Sequence, residues 1–435
     1  MSAFLDAVPT GARALVLNGG AGIGKTTIWH QAVDEARDRG DAVLSTRPTE
    51  AETGLPFVSL ADILAPILDA HLRALTTFQW TAIETALGRT EPTEPLDRLV
   101  LARATLELIH ARSRDDPVVI AIDDIQWMDP ASERTLAWVC RRLGDLPIGL
   151  LITHRTTSTD QPPLDLGRAL DDRLVVIPVG PLTSGDLDEL IRAHFGVALP
   201  RPRLLELGRL SGGNPLYALE IARAAARDPH FPAIVEFAVP PGLGDLVRTR
   251  LDTLSPTASS AVLLTATASQ PTSVLVERAG GVVDGLREAI EHGVVELDGP
   301  RLRFTHPLLA SVAYGSAFPW QRRDAHLALA EVVDDPEERA RHLALGTEGR
   351  SEAIAAELEV AAGLAAARGS PESAAQLAEH AARLTPGHLT AEHQRRLTEA
   401  ADHHVTPGDP ARGRSLIEAL IEGMGPGPAR ADLLR

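Results

Sequence analysis

The sequence predicts an α/β fold, a three-layer αβα domain on a parallel sheet, joined to an all-helical region. Three observations carry this prediction. Short apolar runs at 13–17, 42–46, 117–122, 148–153 and 174–179 alternate with stretches of helical periodicity. The first run leads into a glycine loop that opens a helix, and the third ends in two carboxylates, as at the ligand-binding edge of a doubly wound sheet. After about residue 180 strands nearly stop, and Ala- and Leu-rich helical patterns continue to residue 435.

Composition sets outer limits. A chain of 435 residues that is 44% hydrophobic and 23% charged has material for about two to four domains with large cores. Aromatics are only 3% while Ala, Leu, Arg and Gly abound, which favours helices. The formal charge of −17 repels a phosphate backbone, so the chain is a poor nucleic-acid binder unless its basic residues segregate onto one face. The single cysteine, Cys140, cannot form an intrachain disulfide and reads as packing. No apolar run approaches 18 residues and no signal peptide precedes the glycine loop, so the expectation is a soluble, cytoplasmic protein without a membrane partner.

The first strand, 13–17, ends in Asn18-Gly19-Gly20-Ala21-Gly22-Ile23-Gly24-Lys25-Thr26-Thr27. The spacing Gly19-x4-Gly24-Lys25-Thr26 is the phosphate-binding loop pattern of P-loop NTPases. Glycines let successive backbone N–H groups line a concave anion site, and the helix that follows points its positive end at the same place. Lys25 is predicted to reach the β- and γ-phosphates of ATP, and Thr26 to ligate Mg²⁺. The helix runs over 26–38 with Gly40 as its C-cap, and a second strand covers 42–46. Helices follow at 58–68 and 96–112.

The continuous apolar run Val118 to Ile122 suits a strand buried on both faces. At its end Asp123 would hold the metal, and Asp124 would orient the attacking water; a solvated, Asp-rich turn is the plain alternative. Asp129 and Pro130 fit the N-cap and first position of a helix reaching about residue 143. The strand at 148–153 leads to Arg155, either a γ-phosphate sensor or an ordinary surface arginine, and a fifth strand covers 174–179.

Helices at 182–195, 203–211 and 216–227, interrupted by Gly212-Gly213-Asn214-Pro215, read as a small lid, and 229–242 as a linker. Three helical patterns after Ala258 precede 294–304, which alternates around Asp298-Gly299 in a hairpin signature. Three helices and a hairpin predict a winged-helix domain, a fold that does not by itself imply DNA binding. His306, before Pro307, is either a polar residue at a helix start or a group that reaches back to the β-phosphate of a bound diphosphate. Residues 321–435 read as helices throughout. Ala361-Ala362 with Pro371 and Ala400-Ala401 with Pro410 recur at an offset of 39, the range of helical-hairpin repeats. The array looks cut off at 423–428, and His403-His404 read as an exposed helix face rather than metal ligands. The expected division is therefore 1–180 core, 181–235 lid, 236–320 winged helix and 321–435 helical (TPR-like) repeats.

Several stretches together resemble the signal-transduction ATPases with numerous domains (STAND), and within them the large ATP-binding regulators of the LuxR family. They are Asn18 to Thr27, Arg47-Pro48 through Glu52-Thr53-Gly54-Leu55-Pro56-Phe57 to Leu60-Ala61-Asp62-Ile63-Leu64, and Ile122-Asp123-Asp124-Ile125-Gln126-Trp127-Met128-Asp129. Gly212-Gly213-Asn214-Pro215-Leu216 and Phe304-Thr305-His306-Pro307-Leu308 complete the set. The resemblance implies an AAA-like ATPase used as a switch: ATP favours an open, oligomerising form, ADP a closed one, and slow hydrolysis resets it. It also implies that Pro215 lies near the adenine and that the repeats sense a small-molecule or protein inducer. Family members carry a C-terminal helix-turn-helix for promoter DNA, and a segment before the first strand that helps hold the base. This sequence lacks the first and nearly all of the second, so it reads as a fragment or truncated product, with DNA contacted only through a missing domain.

Two other functions compete with a weak regulatory ATPase. A phosphotransferase would use the same loop on a small substrate under an Arg-rich lid, but would have no use for a winged helix and repeats. A degenerate interaction module would not need Lys25, Thr26, Asp123 and Asp124 intact.

Overall fold

The computed structural model describes residues 1–92, 94–155, 162–225, 243–405 and 410–423. Strands β1 (Arg13–Asn18), β2 (Ala42–Thr46), β3 (Val118–Ile122), β4 (Ile148–His154) and β5 (Leu174–Pro178) form one wholly parallel sheet in the order β2-β3-β4-β1-β5. Side chains that alternate along each strand feed two separate cores. Leu15, Leu17, Val119, Ala121 and Leu151 pack under helix α1 (Ser2–Ala7) and the Trp29, Ala32 and Val33 face of α2 (Lys25–Asp38). Val16, Leu44, Ile120, Ile122 and Leu150 point the other way. They meet α3 (Val58–Leu64), α4 (Thr77–Ala86), α5 (Arg98–Ser113), α6 (Pro130–Cys140) and α7 (Leu166–Leu170). This is the predicted αβα core, with β3 buried on both faces.

Some boundaries differ from the sequence reading, each for a local reason. The helix expected at 58–68 is regular only to Leu64. That expected at 96–112 begins at Arg98 because the Asp97 carboxylate caps it, accepting from Leu99 N at 2.8 Å. Helices α1, α4, α7 and the helix at 243–251 were not anticipated: α1 and α7 are only six and five residues long, and α4 combines a weak apolar stripe with a Thr76–Gln79 capping box. Asp129 caps α6 as predicted and does more. Its carboxylate also accepts from Phe57 N (2.8 Å) and Ser59 N (3.2 Å), tying the start of α3 to α6 while Phe57 takes a left-handed φ of 62°.

A three-helix unit comprises α8 (Ser184–Phe195), α9 (Arg201–Ser211) and α10 (Pro215–Ala225), packed around Leu187, Ile191, Leu207 and Ile221. The linker read at 229–242 lies outside the described residues. Next come α11 (Leu243–Leu251), α12 (Pro256–Thr267), α13 (Ser273–Arg278), α14 (Val283–Glu291) and the antiparallel pair β6 (Val295–Asp298) and β7 (Arg301–Phe304). Their turn is Gly299-Pro300, one residue later than the Asp298-Gly299 centre read from the alternation, because Asp298 pairs with Arg301.

Helices α15 (Pro307–Ser316), α16 (Pro319–Ala330), α17 (Pro336–Gly346), α18 (Glu352–Ala367), α19 (Pro371–Leu384), α20 (Thr390–Val405) and α21 (Pro410–Gly423) complete the described chain. The offset of 39 is structural: Pro371 and Pro410 begin α19 and α21, while Ala361-Ala362 and Ala400-Ala401 are buried in α18 and α20. Small side chains let these helices approach closely around Ala355, Ala362, Ala374 and Ala378. His403 and His404 are part-buried rather than exposed, because His404 Nε2 lies 2.6 Å from Glu379 Oε1; no metal-ligand group of three occurs among the described residues. The end read at 423–428 lies outside the described residues beyond Gly423.

Candidate functional site

All five strands end on one edge, with Thr46 beside Ile122, Ile122 beside Ile152, and Asn18 beside both His154 and Pro178. The functional side chains leave the chain just past these ends, which is why residues far apart in sequence meet here. The glycine loop turns from β1 into α2 through Gly22 (φ 72°) and Gly24 (φ 101°), conformations that a side chain would strain. Ala21, Gly22, Gly24, Lys25, Thr26 and Thr27 face a cavity of about 1250 Å³, with Gly19, Gly20 and Ile23 completing the turn.

Lys25 is buried, and its Nζ donates to the carbonyls of Gly19 (3.0 Å) and Gly20 (2.9 Å). Burial lowers its pKa, with Asp124 pulling the other way and Arg155 adding to the depression. A cation held against its own loop, with carboxylates near but not bonded, is poised for an anionic ligand.

Across the cavity Asp123 Oδ1 accepts from Thr153 Oγ1 (2.6 Å) and Thr26 Oγ1 (3.3 Å). Burial raises the Asp123 pKa first, and neighbouring Asp124 raises it further. Two hard oxygens, the Thr26 hydroxyl and a desolvated carboxylate, sit together beside the phosphate loop, and a divalent cation would relieve both burial and repulsion. The predicted metal pair thus fits one.

Asp124 takes a left-handed φ of 51° and donates its backbone N–H to Thr153 Oγ1 at 2.6 Å. Gln126 Nε2 donates to Asp124 Oδ1 (2.9 Å), while Gln126 Oε1 accepts from Arg155 N (3.1 Å). One amide therefore fixes both the second aspartate and the backbone that carries Arg155. Arg155 is exposed at the cavity rim and close enough to Lys25 and His306 to depress their pKa values.

The start of α10 lies directly on the loop. Asn214 Nδ2 donates to Ala21 O (2.8 Å), Leu216 N to Gly22 O (3.3 Å), and Pro215, Leu216 and Leu219 line the wall. From the opposite side His306 caps α15, its Nδ1 accepting from Leu308 N at 3.1 Å. His306 thus caps a helix and also lines the cavity. With Nδ1 engaged as acceptor, the neutral ring carries its proton on Nε2; burial, with Arg155 and Lys25, pushes its pKa down to about 4 against the pull of Asp124.

Beyond the β6–β7 hairpin, the cavity's far wall is made by Tyr314, His326, Arg341, His342 and Gln376 of the helical region. The helical region also grips the core directly. Arg134 pairs with Glu372 through Nη2 and Oε2 at 2.9 Å, Ser373 Oγ donates to Gly54 O at 2.8 Å, and Arg341 donates to the same carbonyl.

The structure brings together every predicted site residue from Gly19 to Thr27 with Asp123, Asp124, Arg155, Pro215 and His306. Sequence reading assigned no role to Thr153, Gln126, Asn214 or Arg47. Gln126, Asn214 and Arg47 lay inside the stretches that carried the family resemblance, and Thr153 closed a predicted strand, so position pointed at all four.

Residues 1–152 match the AAA ATPase domain family. A 128-residue stretch is 31% identical to an uncharacterized protein of Rhizobium meliloti (strain 1021), covering 28% of this chain and 12% of that protein. Among solved structures, the chain is similar to the STAND protein with a tetratricopeptide repeat sensor from Pyrococcus horikoshii. That match has a TM-score of 0.53 and 12% identity over 97% of this chain and 64% of that one. A Walker-type ATPase of Pyrococcus abyssi matches with a TM-score of 0.36 and 12% identity, over 72% of this chain and 94% of that one. The N-terminal third thus carries an AAA-type P-loop ATPase domain, and the likeness to the P. horikoshii protein over most of the chain is one of fold.

Proposed function

We propose that this chain is a nucleotide-operated regulatory switch, a slow ATPase in which ATP or ADP with Mg²⁺ sets how the lid, winged helix and helical region sit on the core. One observation carries the reading. The cavity at the phosphate loop is walled at once by the lid, the β6–β7 hairpin, His306 and the helical region, so whatever fills it touches all of these parts.

In this reading Lys25 and the backbone of 19–27 hold the phosphates, Thr26 and Asp123 hold Mg²⁺, and Asp124 orients water. Arg155 senses the γ-phosphate, Pro215 lies against the adenine, and neutral His306 donates Nε2–H to the β-phosphate of ADP. The compact arrangement is then the ADP-like, closed one. ATP opens it and exposes surfaces for self-association. The division into core 1–180, lid 181–235, winged helix 236–320 and TPR-like sensor 321–435 follows, with a small-molecule or protein inducer acting on the sensor. The resemblance to LuxR-family regulators supports a role upstream of transcription in the cytoplasm, with DNA contacted through a further domain; no helix among the described residues is long and apolar enough to cross a membrane.

The test is hydrodynamic. The full chain is measured by small-angle scattering with ADP, with a non-hydrolysable ATP analogue, and without nucleotide. A larger radius or mass with the analogue than with ADP supports the switch; identical profiles despite demonstrated binding remove it.

A further inference from the structure

We infer that Arg47 occupies the cation position beside Asp123 in this compact arrangement, so that a divalent metal and the docked β6–β7 hairpin compete for one carboxylate. The inference rests on the switch reading and names how its metal would be coupled to the winged helix.

Thr46 is in register with Ile122, so Arg47 and Asp123 leave adjacent strands side by side. Arg47 Nε lies 3.6 Å from Asp123 Oδ2, is buried, and has no hydrogen-bond partner. Asp123 Oδ1 is already engaged by Thr153 and Thr26, so the guanidinium faces the oxygen left over. The other end of the same guanidinium, Nη1, lies 3.8 Å from Asp298 Oδ2 on the hairpin. The Arg47 carbonyl accepts from Arg303 Nη1 at 2.9 Å, and Arg303 Nε returns to Asp298 at 2.8 Å. Arg301 completes the dock by pairing with Asp62 of α3 at 2.9 Å. His30 of α2 and Glu296 of β6 flank the same space.

Arg47 therefore touches both the metal-binding carboxylate and the hairpin. A cation on Thr26 and Asp123 would stand within a few ångströms of the guanidinium, where like charges repel. Either cation compensates the buried carboxylate, and Thr153 and Thr26 leave only Oδ2 of Asp123 without a hydrogen-bond donor. Competition of this kind is reciprocal. The docked hairpin weakens metal binding, and metal binding loosens the dock.

The experiment titrates Mn²⁺, followed by electron paramagnetic resonance, into the full chain with and without ADP. Hydrogen exchange is read at the β6 and β7 amides. Arg47→Gln should tighten Mn²⁺ roughly fivefold or more. Asp298→Asn, a half-exposed position that leaves every metal ligand intact, should shift it the same way by less. In the unmodified chain Mn²⁺ should speed exchange in the hairpin, and in Arg47→Gln the hairpin should exchange fast with or without the metal. Unchanged or weaker Mn²⁺ affinity in both variants overturns the inference. The switch reading fails separately, if the unmodified chain binds no ADP.

Discussion

Two buried cations behave in opposite ways, and the contrast separates a binding region from a scaffold. Lys25, at the sheet edge, is 5% exposed and donates only to two carbonyls of its own loop. Arg396, in α20, is 2% exposed and fully satisfied: it reaches both Glu352 oxygens (2.8 and 2.6 Å), Glu359 Oε2 (2.9 Å) and Thr385 Oγ1 (2.7 Å). Burial pushes the lysine pKa down, whereas its carboxylate partners push that of Arg396 up. A buried cation whose partners are all present holds helices together. One whose partners are missing is waiting for a ligand. The Arg396 network ties α20 to α18 through Glu352 and Glu359, while Lys25 at the sheet edge faces a large cavity with no carboxylate bonded to it.

The strongest way to break this contrast is to remove both cations. Lys25→Ala should weaken ADP at least about 100-fold, while folding stability moves by no more than about 1 kcal/mol. Arg396→Met should cost about 1–2 kcal/mol in denaturant unfolding and leave ADP affinity unchanged, since it removes the ties from α20 to Glu352, Glu359 and Thr385 without touching the cavity. If Lys25→Ala unfolds the chain as well, the lysine is scaffold and the division falls.

Within the sheet edge, Asp124→Asn should keep nucleotide binding and slow hydrolysis roughly 100-fold, read as phosphate release in single turnover. Equal rates would move the water-orienting role elsewhere.

A smaller effect tests the junction between the two regions. Glu52 sits beneath the loop gripped by the helical region, and burial raises its pKa to about 7 despite two hydrogen bonds from Thr49. A carboxyl raised on folding contributes stability that is complete below the ordinary glutamate pKa and is lost as pH climbs through about 7. Glu52→Gln should therefore match the unmodified chain near pH 4.5 and exceed it by about 2 kcal/mol at pH 8. Parallel pH profiles for the two proteins would place the carboxyl in water.

The smallest change expected is in His306→Ala, with an ADP off-rate roughly five- to tenfold faster. Identical off-rates in stopped-flow displacement of a fluorescent ADP would leave His306 as a helix cap and nothing more.

What could be read from the chain follows from the range of each interaction. The loop at 19–26, the strand ending in Asp123 and Asp124, the Asp129 cap and the 39-residue recurrence are local: glycine conformations, apolar runs and capping residues act within a few positions, so the sequence alone determined them. Helix α4 escaped because its stripe is weak, and the end of α3 because residues 65–68 are apolar but irregular. Only the tertiary structure decided that Gln126 spans Asp124 and the Arg155 backbone, that Asn214 closes on Ala21, and that Arg47 stands between Asp123 and Asp298. The last two cross more than 190 and 250 positions of chain. No spacing rule reaches that far, because such contacts exist only once strand order and domain packing have brought the ends together.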